Sequence, residues 1–345
     1  MKELLVFGGK SSEFEVSCAS AASVIRNIKG HELTKLGITK DGKWFVTEAD
    51  SDSIQKCEWI SDTRNKPVLL DVSGGAFIVD GEKLHFDVVF PVIHGRNGED
   101  GRLQGLLEMM NVKYVGCRLL SSAVCMDKAY TNLVFEANGI KHTPWLSFTR
   151  YEYVKNRDLI LDNIIGRLKF PLFVKPSNAG SSVGITKCKS YEGLVDAIDE
   201  ALKFDTKIIV EQSVKSPLEI EVSVMGNDEP IASVPGRIKA ANDFYDYEAK
   251  YINEASETIV PADIDSCLAE KIRKIAVAAY KSCECKGLSR VDFLVDPNGE
   301  IFINDINTLP GFTNISMFPK LFIAEGISYS ELINKLIDYA VSYTE

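Results

Sequence analysis

Short runs of aliphatic and β-branched residues alternate with longer helical patterns along this 345-residue chain. In the first third, buried strands are predicted at residues 4–7, 86–93 and 112–115, with helices at residues 16–28 and 103–110. This alternation is typical of α/β layers and, at the amino terminus, of a parallel sheet. All-β and membrane-spanning folds do not fit it.

Two further blocks follow the first. A chain of this length suggests two or three domains at roughly 150 residues each, and we expect three, at residues 1–117, 118–211 and 212–345. The remaining predicted elements are a helix at 122–137, a strand at 171–175, a helix at 192–202, strands at 207–211, 219–225 and 231–238, a helix at 262–281, a hairpin at 289–307 and a closing helix after Ser328.

Acidic side chains outnumber basic ones, with 49 Asp and Glu against 39 Lys and Arg and a net charge of -10. Such a surface repels a phosphate backbone, so we do not expect nucleic acid as a partner. The apolar run at residues 4–7 is too short for a signal peptide or a spanning helix. We therefore expect a soluble, cytoplasmic protein with no membrane partner.

The eight cysteines are too few and too scattered for a disulfide scaffold, so reduced thiols are expected. The closest pair, Cys283 and Cys285, lacks the two-residue spacer of a zinc or redox motif, and the chain has only four histidines. A His/Cys metal site is therefore not expected.

The predicted hairpin carries the strongest chemical signal. Residues 298–299 are Asn-Gly, a pair typical of two-residue hairpin turns. Such a turn places Asp292 opposite Asp305 and Arg290 opposite Asn307, all on one face. Facing carboxylates repel each other, so a cation between them is the natural solution. Oxygen ligands without histidine favour Mg²⁺.

The alternative depends on Pro297. If this residue forces a three-residue turn with a bulge, the register shifts and Asp305 moves to the opposite face. Acidic residues on a solvated strand are common, so the hairpin alone leaves both interpretations open.

Two loops have the composition of ligand-binding segments. A strand ending at Lys175 is followed by small residues at 176–184, which suit backbone N–H groups closing around phosphate. An ordinary mobile turn has the same composition. Residues 239–258 are crowded with aromatic and charged side chains, as in a lid, and the alternative is that the tyrosines pack on the core.

Two polar residues follow strands, where α/β folds bind ligands. Glu15, after the glycine turn at residues 8–9, is placed either to hold an ammonium group or to support a helix N-terminus. His94 begins another glycine-rich loop, and for a single histidine we favour a structural role over proton donation.

The order of these motifs resembles one family, the D-alanine–D-alanine ligases of the ATP-grasp superfamily, over nearly the whole chain. The matching segments are residues 8–9 with 13–17, 94–101, 126–128, 175–176 with 180–184, 245–251 and 307–313. The resemblance implies a three-domain ATP-grasp fold with ATP between the second and third domains. It also implies a homodimer that joins two D-alanines into a peptidoglycan precursor.

The resemblance extends to individual residues. For ATP it implies phosphate-binding lysines, an adenine acceptor and a ribose carboxylate at Lys128, Lys175, Lys250, Glu211 and Glu219. For Mg²⁺ or Mn²⁺ it implies Asp292, Asp305 and Asn307. The family usually has glutamate at the position of Asp305, which leaves the number of metal ions open.

In the implied mechanism, a D-alanine carboxylate attacks the γ-phosphate of ATP, and the amine of a second D-alanine attacks the resulting acyl phosphate. The implied catalytic residues are Glu15, Ser181, Tyr251, Arg290 and Gly311. The implied substrate contacts are His94, Ser316 and Met317.

Three alternatives stay open. Relatives that select D-serine or D-lactate often carry arginine at the position of Met317, so methionine favours D-alanine, with D-serine the nearest alternative. A nucleotide-binding regulator without turnover is possible if Asp305 weakens the metal site. A dinucleotide-dependent dehydrogenase suits the α/β pattern but lacks its glycine fingerprint.

Overall fold

The computed structural model describes residues 1–180, 183–239 and 257–344. Three β-sheets follow one another along these residues. None of the helices in this part of the chain is long and apolar enough to cross a membrane. The α/β class predicted from the sequence is confirmed.

The first sheet has seven strands and lies in the first third of the chain. Its elements are β1 (Lys2–Gly8), α1 (Phe14–Asn27), β2 (Glu32–Ile38), β3 (Trp44–Val46), α2 (Ser51–Gln55), a 3₁₀ helix (Glu58–Ser61), β4 (Lys66–Asp71), β5 (Ala76–Val79), β6 (Glu82–Leu84), β7 (Val88–Pro91) and α3 (Arg102–Met109). The strand order is β6-β5-β4-β3-β2-β1-β7. Only β7, β1 and β2 are parallel; β3 to β6 extend the sheet as an antiparallel meander that the sequence pattern did not predict.

The central sheet has four strands in the order β10-β9-β11-β8, all antiparallel to their neighbours. Its region contains α4 (Leu119–Met126), α5 (Lys128–Ala137), β8 (Trp145–Thr149), α6 (Arg150–Lys155), α7 (Arg157–Arg167), β9 (Leu172–Pro176), β10 (Thr186–Cys188), α8 (Tyr191–Ala201) and β11 (Lys207–Gln212).

The third sheet is six-stranded and carries the hairpin. Its region contains β12 (Leu218–Gly226), β13 (Ile231–Ala232), β14 (Gly236–Lys239), β15 (Glu257–Ile259), α9 (Ser266–Ser282), β16 (Gly287–Val295), β17 (Ile301–Asn307), α10 (Met317–Ile323) and α11 (Tyr329–Ser342). The order is β15-β14-β12-β16-β17, with β13 paired to β12. The three domains expected from the sequence each contain one of these sheets, and their boundaries stay a prediction.

Two predicted strands differ from the observed elements. Residues 112–115 contribute an isolated bridge between Tyr114 and Val89 rather than a strand. The strand predicted at 231–238 is divided into β13 and β14, with Pro235 between them, because proline cannot donate a ladder hydrogen bond.

The helix predicted at residues 122–137 is two helices. Asp127 leaves the helical conformation, with φ -93 and ψ 102, and its side chain accepts hydrogen bonds from the backbone N–H groups of Ala129 and Tyr130. An aspartate that caps a helix in this way starts a new one. The break brings Lys128 to the first turn of α5.

The first and third sheets share one hydrophobic core. Phe7 and Phe14 belong to the same buried cluster as Phe312, Phe318 and Leu336. The central sheet packs on its own helices in a separate cluster that includes Phe148 of β8 and Ile198 of α8. The first and third sheets therefore pack together, and the central sheet packs separately on its own helices. The candidate site lies where these two parts of the fold meet.

Candidate active site

The hairpin places its two aspartates as the sequence predicts. Asp292 of β16 lies opposite Asp305 of β17, and Arg290 lies opposite Asn307. On the other side of β16, Asp292 lies opposite Glu221 of β12. Three carboxylates therefore form a row across three neighbouring strands.

The turn that joins these strands is not the predicted two-residue turn. Val295 pairs with Ile301, and the Asp296 N–H donates to the Glu300 carbonyl over 2.9 Å. Residues 297–299 therefore form a three-residue loop, as in the alternative based on Pro297. Gly299 ends it in the left-handed region, with φ 81.

A bulge restores the register that this loop shifts. Phe293 pairs with Ile303 and Asp292 with Asp305, so Asn304 is the extra residue on β17. A bulge sets two residues against one on the partner strand and re-aims the side chains beyond it. The alternative predicted that Asp305 would lie on the opposite face, and this second irregularity is the reason it does not.

Basic side chains neutralise the acidic row. The Arg290 guanidinium binds Asp292 in a bidentate pair, with Nε–Oδ1 and Nη2–Oδ2 both 2.7 Å, and lies 3.1 Å from Glu221 Oε2. Lys128 Nζ lies 3.4 Å from Asp305 Oδ2. Burial opposes the charge on Lys128, but the carboxylates of Asp305 and Glu211 outweigh it and raise the pKa of this lysine.

These residues line one concave surface, here called the acidic cleft. Its wall includes Glu13, Glu99, Lys128, Glu221, Arg290, Asp292, Asp305, Asn307, Gly311, Ser316 and Met317. A divalent cation fits it by the chemistry of its donors, since Mg²⁺ typically binds one or two carboxylates and completes its shell with water and phosphate oxygens. Within the described ranges, no three His, Cys, Asp or Glu side chains gather as a metal cluster.

A second cavity, of about 570 Å³, lies between the central and third sheets and is here called the inter-sheet cavity. Lys175 of β9 and Glu211 of β11 line it and form an ion pair, with Nζ 2.5 Å from Oε2 and both side chains no more than 10% exposed. Glu219 also lines it. Asp292 and Glu221 line both this cavity and the acidic cleft, so the two adjoin.

A network around Asp127 fixes the position of Lys128. The Asp127 carboxylate accepts hydrogen bonds from Ser177 Oγ over 2.7 Å and from Lys207 Nζ over 2.8 Å. The Lys128 N–H donates to the Ser177 carbonyl, and its Nζ donates to the Ala179 carbonyl over 3.2 Å. The small-residue loop after Lys175 is thus tied to the start of α5.

The prediction for Glu15 is wrong in its placement. Glu15 projects from the first turn of α1, where its side chain is 58% exposed and pairs with Lys40 over 2.5 Å. This hydrogen bond lowers the pKa of Glu15. Glu13, two residues earlier, lines the acidic cleft and is 5% exposed. The two side chains point in different directions, because Glu13 precedes the helix with a non-helical backbone and Glu15 lies in its first turn.

Glu13 lies against two glycine-rich loops. A Cβ built on Gly95 would lie 2.1 Å from Glu13 Oε2, and one on Gly180 would lie 3.2 Å from it. The loops that begin at His94 and follow Lys175 therefore meet at this carboxylate. Any side chain at position 95 would displace it.

His94 lies behind the cleft rather than on its wall. The ring is 2% exposed, and its Nδ1 donates to the Leu309 carbonyl over 3.1 Å, since a carbonyl only accepts. Its Nε2 then accepts from Ser20 Oγ over 2.9 Å, and this hydroxyl oxygen in turn accepts from the Phe312 N–H. His94 thus holds the loop that carries Gly311, in agreement with the structural role favoured from the residues alone.

The remaining predicted substrate residues reach the cleft on one loop. Gly311, Ser316 and Met317 all line it. Ser316 Oγ accepts from the Thr313 N–H over 3.0 Å and closes the loop before α10. Met317 is 6% exposed and packs with Leu321.

Two family models match most of this chain. The family model described as D-ala D-ala ligase N-terminus matches residues 2–117, and that described as D-ala D-ala ligase C-terminus matches residues 134–338. The chain belongs to the D-alanine–D-alanine ligase family.

Curated members of this ligase family align over nearly the full length. The chain is 48% identical to a D-alanine–D-alanine ligase of Ruminiclostridium cellulolyticum, with 97% of this chain and 94% of the relative covered. It is 47% identical to a D-alanine–D-alanine ligase of Clostridium acetobutylicum, with 99% and 98% covered.

Solved structures give the same result for the fold. The VanG D-Ala:D-Ser ligase of Enterococcus faecalis has a TM-score of 0.91 and 38% identity, with 98% of this chain and 99% of that chain covered. The D-alanine-D-alanine ligase of Coxiella burnetii has a TM-score of 0.86 and 32% identity, with 99% and 94% covered. The expected ATP-grasp fold is confirmed, and membership of the ligase family implies the use of ATP. Relatives named as ligases over their full length do not favour the regulator or the dehydrogenase.

Sequence reasoning missed three acidic residues of the ligase cleft: Glu13, Glu99 and Glu221. Glu221 follows Glu219 by two residues on β12, so strand alternation places both on one face and could have indicated it. Glu99 belongs to the loop after His94, but its direction depends on that loop's backbone. The predicted residues Ser181, Lys250 and Tyr251 lie outside the described residues.

Proposed function

We propose that this ligase condenses two molecules of D-alanine into D-alanyl-D-alanine, a peptidoglycan precursor, and cleaves ATP to ADP and phosphate. The relatives named above support the reaction. The observation that carries the proposal is that the acidic cleft, with Asp292 and Asp305, adjoins the inter-sheet cavity, with Lys175 and Glu211. We further propose that the enzyme works in the cytoplasm as a homodimer.

The inter-sheet cavity is the proposed ATP site. Its volume of about 570 Å³ is in the range of small-molecule sites. Glu211 would accept from the adenine amine, Glu219 would bind the ribose hydroxyls, and the triphosphate would extend toward Asp292. Lys175 would then exchange part of its contact with Glu211 for a phosphate oxygen.

Asp292, Asp305 and Asn307 are the proposed ligands of Mg²⁺ or Mn²⁺. When bound, such an ion supplies positive charge for the phosphate oxygens. The shorter side chain of Asp305, compared with the glutamate usual in the family, leaves more room on its side of the site.

The first chemical step is attack by the carboxylate of one D-alanine on the γ-phosphate, in line with the departing ADP. Negative charge spreads over the transferring oxygens. Arg290 and Lys128 lie at the cleft wall beside Asp292 and Asp305, so their positive charge is in place before the substrate binds. Fixed charge of this kind stabilises the transition state without reorganisation.

The buried carboxylate of Glu13 is the proposed partner of the ammonium group of this first D-alanine. It takes the role that the sequence resemblance gave to Glu15. Glu13 lies against Gly180 in the small-residue loop after Lys175, so the ammonium group would be held within the same cleft as the transferring phosphate. Charge-assisted hydrogen bonds are the strong ones in such a site.

In the second step the amine of the other D-alanine attacks the acyl phosphate carbonyl. The tetrahedral oxyanion would accept from the Gly311 N–H and from Arg290. His94 keeps the loop of Gly311 in position through the Leu309 carbonyl. The bond between the carbonyl carbon and the phosphate oxygen then breaks, and phosphate leaves with the bonding electrons.

D-Serine as the second substrate is the one alternative that an observation favours, because a D-Ala:D-Ser ligase matches this chain with a TM-score of 0.91. The buried, apolar Met317 on the cleft wall favours the methyl group of D-alanine instead. The Met317 side chain offers a serine hydroxyl no hydrogen-bonding partner, and burying a hydroxyl against it without one costs free energy.

A phosphate-release assay tests the proposal, with MgATP and D-alanine alone or with D-serine or D-lactate added, and with products weighed by mass spectrometry. We expect ADP, phosphate and D-alanyl-D-alanine, formed only when metal and D-alanine are both present. AMP and pyrophosphate would contradict the mechanism. A mixed dipeptide as the main product would move the second substrate to D-serine.

A further inference from the structure

Two buried side chains close a ring of hydrogen bonds on the loop that carries Gly311. His94 contacts the Leu309 carbonyl with Nδ1 and Ser20 Oγ with Nε2, over 3.1 and 2.9 Å. Ser20 Oγ accepts from the Phe312 N–H over 3.2 Å. The ring therefore joins residue 309 to residue 312, and the two residues that close it are no more than 2% exposed.

The direction of each hydrogen bond in the ring is fixed by its ends. The Leu309 carbonyl only accepts and the Phe312 N–H only donates, so a neutral His94 carries its proton on Nδ1 and Ser20 donates to Nε2. Glu99 Oε1, 3.6 Å from Nδ1, favours the same tautomer. Every polar atom of the two side chains thus has a partner, and a fully satisfied buried network of this kind is rigid.

Tyr329 holds the same loop through a different atom. It is the first residue of α11, and its hydroxyl donates to the Phe312 carbonyl. Burial raises the pKa of Tyr329, so this hydroxyl stays protonated and able to donate. The Phe312 ring packs edge-on against the rings of Phe90 in β7 and Tyr329, with centroids 5.7 and 6.3 Å apart. Residue 312 is therefore held by its N–H, its carbonyl and its side chain.

The peptide that carries the Gly311 N–H lies between two peptides that are held. The Leu309 carbonyl belongs to the peptide before it, and the Phe312 N–H belongs to the peptide after it. The ring of Pro310 fixes its own φ, whereas glycine has no side chain to restrict φ and ψ. A Cβ on Gly311 would lie 2.7 Å from Ser316 Oγ, so a larger residue does not fit there. The direction of the Gly311 N–H therefore depends on the contacts that flank it.

We propose that Ser20 and Tyr329 are positioning residues for the second chemical step, which hold the Gly311 N–H in the direction in which it donates to the tetrahedral oxyanion. This role rests on the proposed function. Neither residue is among the described residues of the cleft wall, so both act through the loop and not on the substrate.

Loss of these contacts should slow the second step and leave the first intact. In the first step, charge develops on the γ-phosphate beside Arg290 and Lys128. In the second step, it develops on the carbonyl oxygen of the acyl phosphate, to which the Gly311 N–H donates. If attack by the amine is slower, more of the acyl phosphate dissociates from the enzyme before it reacts.

Hydroxylamine captures the acyl phosphate that dissociates. Its nitrogen attacks the carbonyl carbon, a C–N bond forms, and the C–O bond to phosphate breaks. A proton passes to the buffer, and the products are D-alanine hydroxamate and phosphate. The hydroxamate formed per ADP therefore measures how much of the first step is not followed by the second.

The test compares Ser20→Ala and Tyr329→Phe with wild type in MgATP, D-alanine and hydroxylamine, and ADP, dipeptide and hydroxamate are counted. Urea midpoints check that each variant is folded. If Ser20→Ala does not fold, Ser20→Cys replaces it, because a thiol is close to the hydroxyl in shape but is a weaker donor and acceptor.

Two matched controls remove a buried hydroxyl that does not contact the loop. Ser23→Ala changes the same helix as Ser20, and the Ser23 hydroxyl donates to the Ala19 carbonyl. Tyr280→Phe removes a tyrosine hydroxyl that donates to the Gly226 carbonyl over 2.7 Å.

We expect wild type and both controls to form one dipeptide per ADP. For Ser20→Ala and Tyr329→Phe, dipeptide formation should fall by roughly tenfold to a hundredfold, as for small displacements in an active site. The hydroxamate per ADP should rise in both variants, and the KM for ATP should not change.

One dipeptide per ADP in either variant, at any overall rate, would overturn the proposal, because a merely structural role does not separate the two steps. Equal hydroxamate formation by Ser23→Ala or Tyr280→Phe would also overturn it. If wild type forms ADP and dipeptide while the variants stay coupled, only the role of Ser20 and Tyr329 fails. If wild type forms no dipeptide, the proposed function fails as well.

Discussion

Asp292 lies directly opposite Asp305 on adjacent antiparallel strands, and a one-residue bulge at Asn304 aligns them. The turn at residues 297–299 alone would send Asp305 to the far side of the sheet. Bulge and turn together place both carboxylates in the acidic cleft, where Arg290 and Lys128 compensate them. The proposed metal site therefore depends on two irregularities of one hairpin.

We expect the negative charge of Asp305 to be essential for activity and the length of its side chain not to be. Asp305→Asn should lower kcat by roughly 10²–10³-fold, the usual cost of one electrostatic contact in the transition state. Asp305→Glu keeps the charge and restores the residue usual in the family, so it should stay within about tenfold of wild type. Steady-state kinetics across a Mg²⁺ series measures both. Glu300→Gln, which removes an exposed carboxylate from the same hairpin, is the control; equal kcat for Asp305→Asn and the control would contradict the assignment.

The ion pair of Lys175 and Glu211 should matter for folding as well as for ATP. Lys175→Met leaves the Glu211 carboxylate buried without its partner, and such a loss lowers the free energy of unfolding by about 3–5 kcal/mol. Adding Glu211→Gln should recover most of the stability but not the affinity for ATP. Urea unfolding and ATP titration separate the two effects.

Lys187→Met is the matched control for that pair. Lys187 lines the same cavity, and its ammonium lies 5.5 Å from the Phe173 ring. A partly exposed cation–π contact contributes about 0.5–1 kcal/mol. If Lys175→Met and Lys187→Met destabilise the protein equally, the buried pair has no special role.

Glu13 and Glu15 should differ sharply when each is changed to glutamine. Glu13→Gln removes the proposed partner of the substrate ammonium group, so kcat/KM for D-alanine should fall by roughly 10²-fold, as when one member of a buried charge pair is lost. Glu15→Gln breaks an exposed pair with Lys40, and exposed pairs contribute less than about 1 kcal/mol. Its kinetics should stay close to wild type. A larger fall in kcat/KM for Glu15→Gln than for Glu13→Gln would assign the binding of the ammonium group to Glu15.

Glu3 should make the stability of the protein depend on pH. Burial raises the pKa of Glu3 from 4.5 to about 7; the Met1 amino group lowers it, and Asp87 raises it. The folded state keeps a proton that the unfolded state releases near pH 4.5, so stability falls as pH rises from there through about 7. The loss amounts to about 3 kcal/mol.

Glu3→Gln should abolish this dependence while its amide still reaches His31, the contact that Glu3 makes now. Relative to wild type, the variant should gain stability between about pH 5 and pH 8, as measured by urea midpoints at each pH. Glu32→Gln, an exposed change beside His31, should follow wild type. Parallel curves for all three proteins would disprove the explanation.

The strongly patterned elements of the fold could be predicted from the sequence. Helices α1 and α8 and strands β9 and β11 lie within a few residues of their predicted bounds, because a regular apolar period fixes which face is buried. The break at Asp127 was missed because the apolar pattern runs through it. Only the cap geometry, in which Asp127 accepts from two N–H groups, divides the helix.

The residues of the candidate site also divide into those that could be predicted from the sequence and those that could not. The pairing of Asp292 with Asp305 was predicted, but for the wrong turn, because a bulge depends on how a strand pairs with its neighbours rather than on local sequence. Glu13 was missed in favour of Glu15, since only the backbone after the glycine turn decides which carboxylate points inward. Side chains that follow regular strands were predictable, and those that depend on loop directions were not.

The transfer of oxygen from substrate to phosphate tests the central claim most directly. D-Alanine labelled with ¹⁸O in its carboxylate is converted with MgATP, and the released phosphate is analysed by mass spectrometry. If the carboxylate attacks the γ-phosphate and an acyl phosphate is then cleaved at its carbonyl carbon, each phosphate carries one ¹⁸O atom. Unlabelled phosphate alongside the dipeptide, or label found in AMP, would contradict the account.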